Sequence, residues 1–451
     1  MEKHEVPDRD LNQNIASSPE AEVPPLSRTK SSTSTAIGRV TSRLTTRLIA
    51  DPGPPPDGGY TAWMQVFCAW LALLNTWGFV NSFGTFQTYY TSILPQSPST
   101  ISWIGSTQAC LLFSLSMFSG RALDAGLFRP TIIIGIAIQI VGLFTMSVAK
   151  NYWQLLLTQG ICTGIGGGIF FVPVMGLAST YFAKKKGTAI GIITTGNAVG
   201  GIIYTLVVRE LLSKVGFGWT VRVLGFINVV SLAFVVAFMK PRLPPRKTGP
   251  LVDYDSFRDV PYLLNNLGMC FIVPAIYFVF YYIASFARER FGMSYTQSLN
   301  LVILINGAGL PARVIPGYIA DKYLGALNTF IICVIVNVVS IWCWLAIDST
   351  ASYYVFAAFY GMSAAAFQSL FPTTIAAYSH DITKTGTRLG MAFTVIGFAS
   401  LIGGPLSGEL LKAGGSYVAP ICWAGASTSI GAGLAVTARI WKHGWSLKKR
   451  C

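Results

Sequence analysis

Long apolar runs alternate with short polar breaks along most of the chain. Twelve runs are long enough to cross a bilayer as helices, which takes about 20 residues at ~1.5 Å rise each. They fall at 62–90, 101–123, 131–149, 152–180, 187–208, 219–239, 266–287, 296–319, 326–347, 351–377, 386–411 and 416–438. Three stretches break the pattern. Residues 1–56 are polar and rich in Ser, Thr and Pro, the composition of a disordered tail. Residues 240–265 carry KPRLPPRKTGP and DYDSFRD and read as a linker, and 439–451 form a short basic tail. The pattern predicts an all-α membrane protein of twelve transmembrane helices. One six-helix half lies over 57–239 and a second over 266–438.

Composition agrees with this division. The chain has 451 residues, 52% of them hydrophobic and 11% charged, with mean hydropathy +0.54; soluble domains carry about 25% charged residues. The net charge of +15 would suggest nucleic acid in a soluble protein. Here the basic residues flank the spans and form no aromatic-interleaved face, so no nucleic-acid partner is expected. Their distribution orients the helices instead. Arg121, Arg129, Lys184, Lys185, Lys186, Arg246, Lys247, Lys322, Lys384 and Arg388 fall in alternate breaks, and both ends of the chain are expected in the cytoplasm. The first 50 residues lack the apolar core of a signal peptide. Arg39, Arg43 and Arg47 recur every four residues beside Val40, Leu44 and Leu48. That spacing fits either a short helix on the acidic inner leaflet or plain coil. The run SSTST over Ser31–Thr35 is either a phosphorylation region or a solvated tail.

Candidate chemistry is sparse. Seven of the eight cysteines lie in apolar runs without C-x-x-C spacing, and His4, His380 and His443 lie in tails or a loop. No disulfide framework, metal site or cofactor is expected. There is no His/Asp pair with a placed Ser and no intramembrane carboxylate pair, and Glu409 stands alone. An enzyme is not expected.

One charged side chain does interrupt an apolar run. Arg313 lies in LNLVILINGAGLPARVIPGYIADKYLG, Leu299–Gly325, eight residues before Asp321. Intramembrane arginines usually face a bundle interior or a wet cavity. Eight residues span about 12 Å, so an arginine snorkelling to the headgroups is the alternative.

An internal repeat sets this stretch in context. Gly120-Arg121-Ala122-Leu123-Asp124 ends the second run and Gly317-Tyr318-Ile319-Ala320-Asp321 ends the eighth. Lys186-Gly187-Thr188 opens the fifth run and Thr385-Gly386-Thr387 the eleventh, while Pro173 in the fourth matches Pro372 in the tenth. Two parallel six-helix units around a central site are a transporter architecture. In such a carrier Gly120 and Gly317 are expected to let helices approach closely. Asp124 and Asp321 are expected to cap a neighbouring helix or to pair with a loop cation such as Arg129 or Lys322. Such contacts would form in one state and break in the other; a static turn is the alternative.

Glycines cluster at Gly160, Gly164 and Gly166–Gly168, and again at Gly191, Gly196, Gly200 and Gly201. No P-loop lysine accompanies them, so they read as tight helix crossings. Polar side chains inside the spans are mostly expected to bond between helices. Asn81, Gln108 and Gln368 are candidate substrate contacts with Arg313. Tyr277, Tyr281 and Phe367 are candidates for the apolar wall a small organic ligand needs.

Four segments together resemble the major facilitator superfamily over about 57–440, and more narrowly the fungal branch of its monocarboxylate-porter family. They are Asp57-Gly58-Gly59-Tyr60-x-x-Trp63, NSFGTFQTYY (Asn81–Tyr90), YFAKKKGTAIG (Tyr181–Gly191), and Arg313 with GYIADKYLG after it. The resemblance implies alternating-access transport of a small organic anion or related metabolite, often proton-coupled, across what is expected to be the plasma membrane. The fungal branch also implies two other cargoes, an exported secondary metabolite or a riboflavin-type solute. A non-transporting nutrient sensor is the rival from another class. The animal members of the family place a lysine in the first span and an aspartate four residues before the arginine. Here those places hold Asn81 and Gly309.

Overall fold

The computed structural model describes residues 53–183, 185–243, 252–379 and 385–444, apart from the side chains of Asp124, Lys186 and Thr385. Ser31–Thr35, Arg39, Arg43, Arg47, Lys184, 244–251, 380–384 and 445–451 lie outside the described residues. Within the described residues the chain is a bundle of long helices without strands. The helices are α1 Gly59–Ile93, α2 Pro98–Leu123, α3 Phe128–Met146, α4 Tyr152–Ser179, α5 and α6 together Gly187–Phe238, α7 Val260–Phe291, α8 Tyr295–Leu324, α9 Ala326–Ala346, α10 Thr350–Tyr378, α11 Gly386–Gly414 and α12 Val418–His443. Gly59 and His443 lie on one face of the bundle, called the terminal face below; the opposite face is distal.

Several boundaries differ from those read in the sequence, each for a local reason. Residues 209–218 were expected as a loop, but the helix continues through them and breaks at Gly216 alone, where φ is 74°. Arg209, Glu210 and Lys214 lie on this helix, where Glu210 pairs with both cations at 2.9 and 3.7 Å. Only glycine takes a positive φ without strain, which makes Gly216 the corner between α5 and α6. Helix α7 starts at Val260, inside the expected linker, because Asp259 caps it by accepting from the Tyr262 N–H and Pro261 stands in its first turn. Helix α12 runs on to His443, into the expected tail.

Helix α1 is interrupted at Thr76 and Ser82. An interruption inside a membrane frees backbone groups that must find partners. Gln139 of α3 donates to the Asn75 carbonyl at 2.9 Å, and Thr76 Oγ1 donates to the Ala72 carbonyl at 2.9 Å. The Asn75 side chain donates to Ser231 Oγ at 2.8 Å and accepts from the Tyr204 hydroxyl at 2.8 Å. Asn228 closes the cluster by donating to Tyr204 and accepting from Gln139. These buried amides therefore fasten α1, α3, α5 and α6 together, the structural role expected for most intramembrane polar residues.

Three packing seams join the first six spans to the last six: α2 lies along α11, α5 along α8, and the distal part of α1 along α7. The segment before α7 is fastened to α11. Its short turn Tyr254–Arg258 is flanked by Asp253 and Asp259. Arg388 of α11 donates to Asp253 Oδ2 at 2.9 Å and to Asp259 Oδ2 at 2.7 Å, with all three side chains nearly out of solvent. The guanidinium also lies 5.4 Å from the centre of the Tyr262 ring. Arg388 was grouped in sequence with loop cations that merely orient the spans; here it is a buried ion-pair partner. Removing one member of such a cluster strands the others, at a cost of about 3 kcal/mol or more. Arg388→Ala is therefore expected to lower the thermal unfolding midpoint in detergent by several degrees, and a midpoint unchanged from wild type would refute the role.

Candidate functional site

A partly open cavity lies between the first six and last six spans. Its lining comes from both sets: Leu73, Trp77 and Asn81 on α1, Phe113 on α2, Phe171 and Met175 on α4, and Thr194 and Asn197 on α5. Facing them are Met269 to Phe280 on α7, Arg313 on α8, Gln368, Phe371 and Pro372 on α10, and Phe393 and Ile396 on α11. Helical spacing accounts for much of this. Leu73, Trp77 and Asn81 are four apart, as are Met269, Val273 and Tyr277, so each set occupies one helix face. The wall is mainly apolar and aromatic, with Trp77 wedged edge-on between Phe113 and Phe171 at 4.6 and 5.5 Å.

Arg313 is the charged residue on this wall and is 5% exposed. Pro311 and Pro316 flank it inside α8. Its Nε is fully buried without an acceptor, and among the described residues no carboxylate or carbonyl pairs with its guanidinium. A buried unpaired charge is strongly unfavourable, and this one borders the cavity. Four residues earlier, Gly309 lies where a carboxylate could have served. A Cβ there would meet Ala365 Cβ at 2.9 Å and the Gly361 carbonyl at 3.2 Å; packing of α8 on α10 takes that space.

The other candidate contacts separate clearly. Asn81 and Gln368 line the cavity, as does Tyr277. Asn81 Nδ2 donates to Asn197 Oδ1 at 2.8 Å, and both residues line the cavity. Gln108 is buried where α2 passes α4, its backbone against Gly164, and is not on the lining. Phe367 is fully buried and turned toward Phe330 of α9, 6.4 Å between ring centres. Tyr281 lies distal to the cavity, its ring 4.6 Å from Phe83 of α1 and 5.5 Å from Tyr277. The repeat held a signal for lining residues that, apart from Tyr277, were not singled out in sequence. Leu73 and Val273, Trp77 and Tyr277, and Phe171 and Phe371 are pairs 200 apart, and all six line the cavity.

The cavity's α4, α5, α10 and α11 residues all lie in the terminal-side halves of those helices. On the distal side the two sets of spans interlock. Ser99 Oγ at the start of α2 donates to the Pro405 carbonyl of α11 at 2.9 Å. The Tyr282 hydroxyl of α7 reaches the Pro98 carbonyl at 3.3 Å and the Gly404 carbonyl at 3.2 Å. Tyr295 of α8 donates to the Thr85 carbonyl at 3.2 Å, and Arg209 of α5 to Asn300 of α8 at 2.7 Å. Gly84 lets α1 lie directly on the Phe280 carbonyl of α7.

The repeated loops on the terminal face behave differently from each other. Gly120 packs α2 on α4, where a Cβ would lie 3.3 Å from Val172, whereas Gly317 has open space around it and permits no close crossing. A Cβ on Gly187, at the start of α5, would lie 3.0 Å from Asp321 Oδ2, so that carboxylate stands at a helix N-terminus across the seam. Lys322 makes no ion pair with Asp321. Its Nζ donates to the Tyr318 hydroxyl at 3.0 Å and lies 5.4 and 5.3 Å from the Tyr318 and Tyr323 rings. Arg129 reaches the Val236 carbonyl at 3.5 Å. Arg121 is half-buried near the end of α2, and the Asp124 side chain lies outside the described residues. Two of the sequence segments meet here: Asp57 Oδ1 accepts from the Ala183 N–H at 2.6 Å and the Lys185 N–H at 3.4 Å.

A bundle of this topology with a central cavity is matched by a family profile. The Major Facilitator Superfamily profile aligns with residues 66–404. The chain belongs to the Major Facilitator Superfamily. Three fungal transporters are similar to it. An MFS-type transporter of Gibberella zeae is 42% identical over 394 residues, covering 87% of this chain and 89% of the relative. Another of Emericella nidulans is 37% identical over 358 residues, covering 79% and 80%. The aspyridones efflux protein of Emericella nidulans is 30% identical over 394 residues, covering 86% and 79%. The chain is a secondary transporter of the MFS kind in a multi-pass membrane fold, in a family of carriers and not of enzymes.

Proposed function

We propose that this MFS transporter exports an organic anion with an apolar or aromatic body, loaded from the cytoplasm. The observation that carries the reading is Arg313, a cavity guanidinium with no protein acceptor among the described residues. A carboxylate or similar oxyanion supplies two acceptors in the geometry a guanidinium fork matches. Asn197 and Gln368 add uncharged donors, and the aromatic wall takes the rest of the molecule. The lining draws on eight helices and is mainly apolar and aromatic, which suits a ligand larger than lactate, so the monocarboxylate-porter resemblance is read as a family likeness and not as the cargo. The efflux name of one relative supports the direction.

In this reading the terminal face is cytoplasmic, as the basic residues suggest, and the membrane is the plasma membrane. Residues 57–239 and 266–438 rock about the cavity, with the Asp321–Gly187 contact and the repeated loops biasing the terminal gate. The test compares inside-out and right-side-out vesicles given labelled 2-naphthoate and its uncharged methyl ester. Carrier-dependent uptake of naphthoate into inside-out vesicles is expected, with none of the ester. Equal carriage of both would refute the anion site.

A further inference from the structure

An anion carrier must draw its energy from somewhere, and the cavity limits the sources. No Asp, Glu or His is on its lining among the described residues. Tyr277 is the titratable side chain on α7 that lines it, and Cys333 of α9 packs behind Ala312 and Ala365. Cys110 of α2 is buried near by. From α5, α8, α10 and α11 the lining contributes Thr194, Asn197, Arg313, Gln368, Phe371, Pro372, Phe393 and Ile396, of which Arg313 alone is charged. Phenol and thiol groups ordinarily titrate near pH 10 and 8.5, above the range in which a cellular proton gradient operates. The carboxylate nearest along α8 is Asp321, about 12 Å down the helix and held against Gly187.

We infer that the carrier moves its anion without a proton, driven by the membrane potential, and that the voltage acts on the return of the empty carrier. This rests on the anion reading above. The charge count is simple. With a monoanion on Arg313, the site is neutral, and its passage from one face to the other moves little charge. With the site empty, the unpaired Arg313 carries +1 as access switches back. An inside-negative potential favours a positive site reopening to the inside, so each cycle carries one negative charge out. At equilibrium a 100 mV potential supports an outward ratio of about 50-fold for a monoanion, equivalent to about 2.3 kcal/mol per charge.

The experiment uses the purified full-length chain in proteoliposomes, with empty vesicles as blank. Its probes are labelled 2-naphthoate and 2-naphthalenesulfonate, the second chosen because its charge does not titrate. Counterflow at equal pH and zero potential comes first; if neither probe exchanges, the anion reading itself fails. With exchange established, a potassium diffusion potential of ~100 mV, inside negative, is expected to deplete lumenal probe toward the ~50-fold ratio. The same potential is expected to change counterflow by less than about 2-fold, since counterflow uses only the loaded steps. A pH gradient at clamped zero potential is expected to accumulate neither probe through the carrier. Accumulation following that pH gradient, or net efflux indifferent to potential while counterflow proceeds, would overturn the inference.

Discussion

Arg313→Met is expected to cut carriage of an anionic probe by about 100-fold and, at the same time, to raise the thermal stability of the protein. The two effects have one cause. The guanidinium is buried without an acceptor among the described residues, so the resting protein bears the desolvation cost of a charge that only the ligand offsets. Methionine fills a similar volume with no charge, and replacing buried charges by apolar side chains is often neutral or stabilising by about 1–4 kcal/mol. The ligand loses a charge-assisted, two-pronged bond in a dry site, for which about 3 kcal/mol, or ~100-fold, is a conservative figure. Arg313→Lys keeps the charge but not the fork and is expected to fall between. Vesicle transport and detergent melting on the same preparations check both halves. A variant that is both inactive and less stable would mean that Arg313 supports the fold and not the ligand. Arg388 is the internal control, because its charge is matched by Asp253 and Asp259 and its loss is expected to destabilise.

The second large effect is expected at the distal seam. Gly84 of α1 lies on the Phe280 backbone, and a Cβ on Gly408 of α11 would lie 2.5 Å from Ser99 Cα of α2. Both contacts join the first six spans to the last six, and both involve backbone, which cannot swing aside. Leucine at Gly84 therefore prevents the distal face from closing while each set of six spans keeps its own packing, whereas at Gly408 it would also meet the Tyr282 hydroxyl within the last six spans. Transport is expected to fall to background with the protein still inserted. A cysteine placed at Ser106, buried beside Gly404 and Tyr281, is expected to become reactive to a thiol reagent applied from the distal side. Retained transport in Gly84→Leu, or an unreactive cysteine in that background, would refute the closed-seam account.

Much of the architecture was legible in the sequence because hydropathy and the length of apolar runs are one-dimensional signals. Most span boundaries were read within a few residues; the exceptions are the run on to Gly216, the earlier start of α7 at Val260 and the later end of α12 at His443. Arg313 was legible because a charge in an apolar run has few places to go. The other site residues were harder, for a physical reason. Periodicity says which residues share a helix face, but not which way that face is turned. Phe367 and Gln368 are neighbours in sequence; one packs on α9 and the other lines the cavity. Gln108 was chosen for polarity and proved to be buried at a helix crossing. The repeated loops were read as equivalent, yet Gly120 is at a contact and Gly317 is in the open, because a repeat preserves topology without preserving every neighbour.

Gly309 bears on how this carrier can change. The space a side chain would need there is held by Ala365 and by the Gly361 carbonyl. A carboxylate beside Arg313 would neutralise the guanidinium and supply a proton acceptor, converting a potential-driven device into a proton-driven one. No single substitution reaches that state, since an aspartate at 309 must first force α8 off α10. Room has to be made before the charge arrives, and a cavity opened at 365 is itself costly while 309 stays glycine. On the potential-driven reading, positions 309 and 365 are coupled through helix packing, so a change in the mode of energy use calls for both to change.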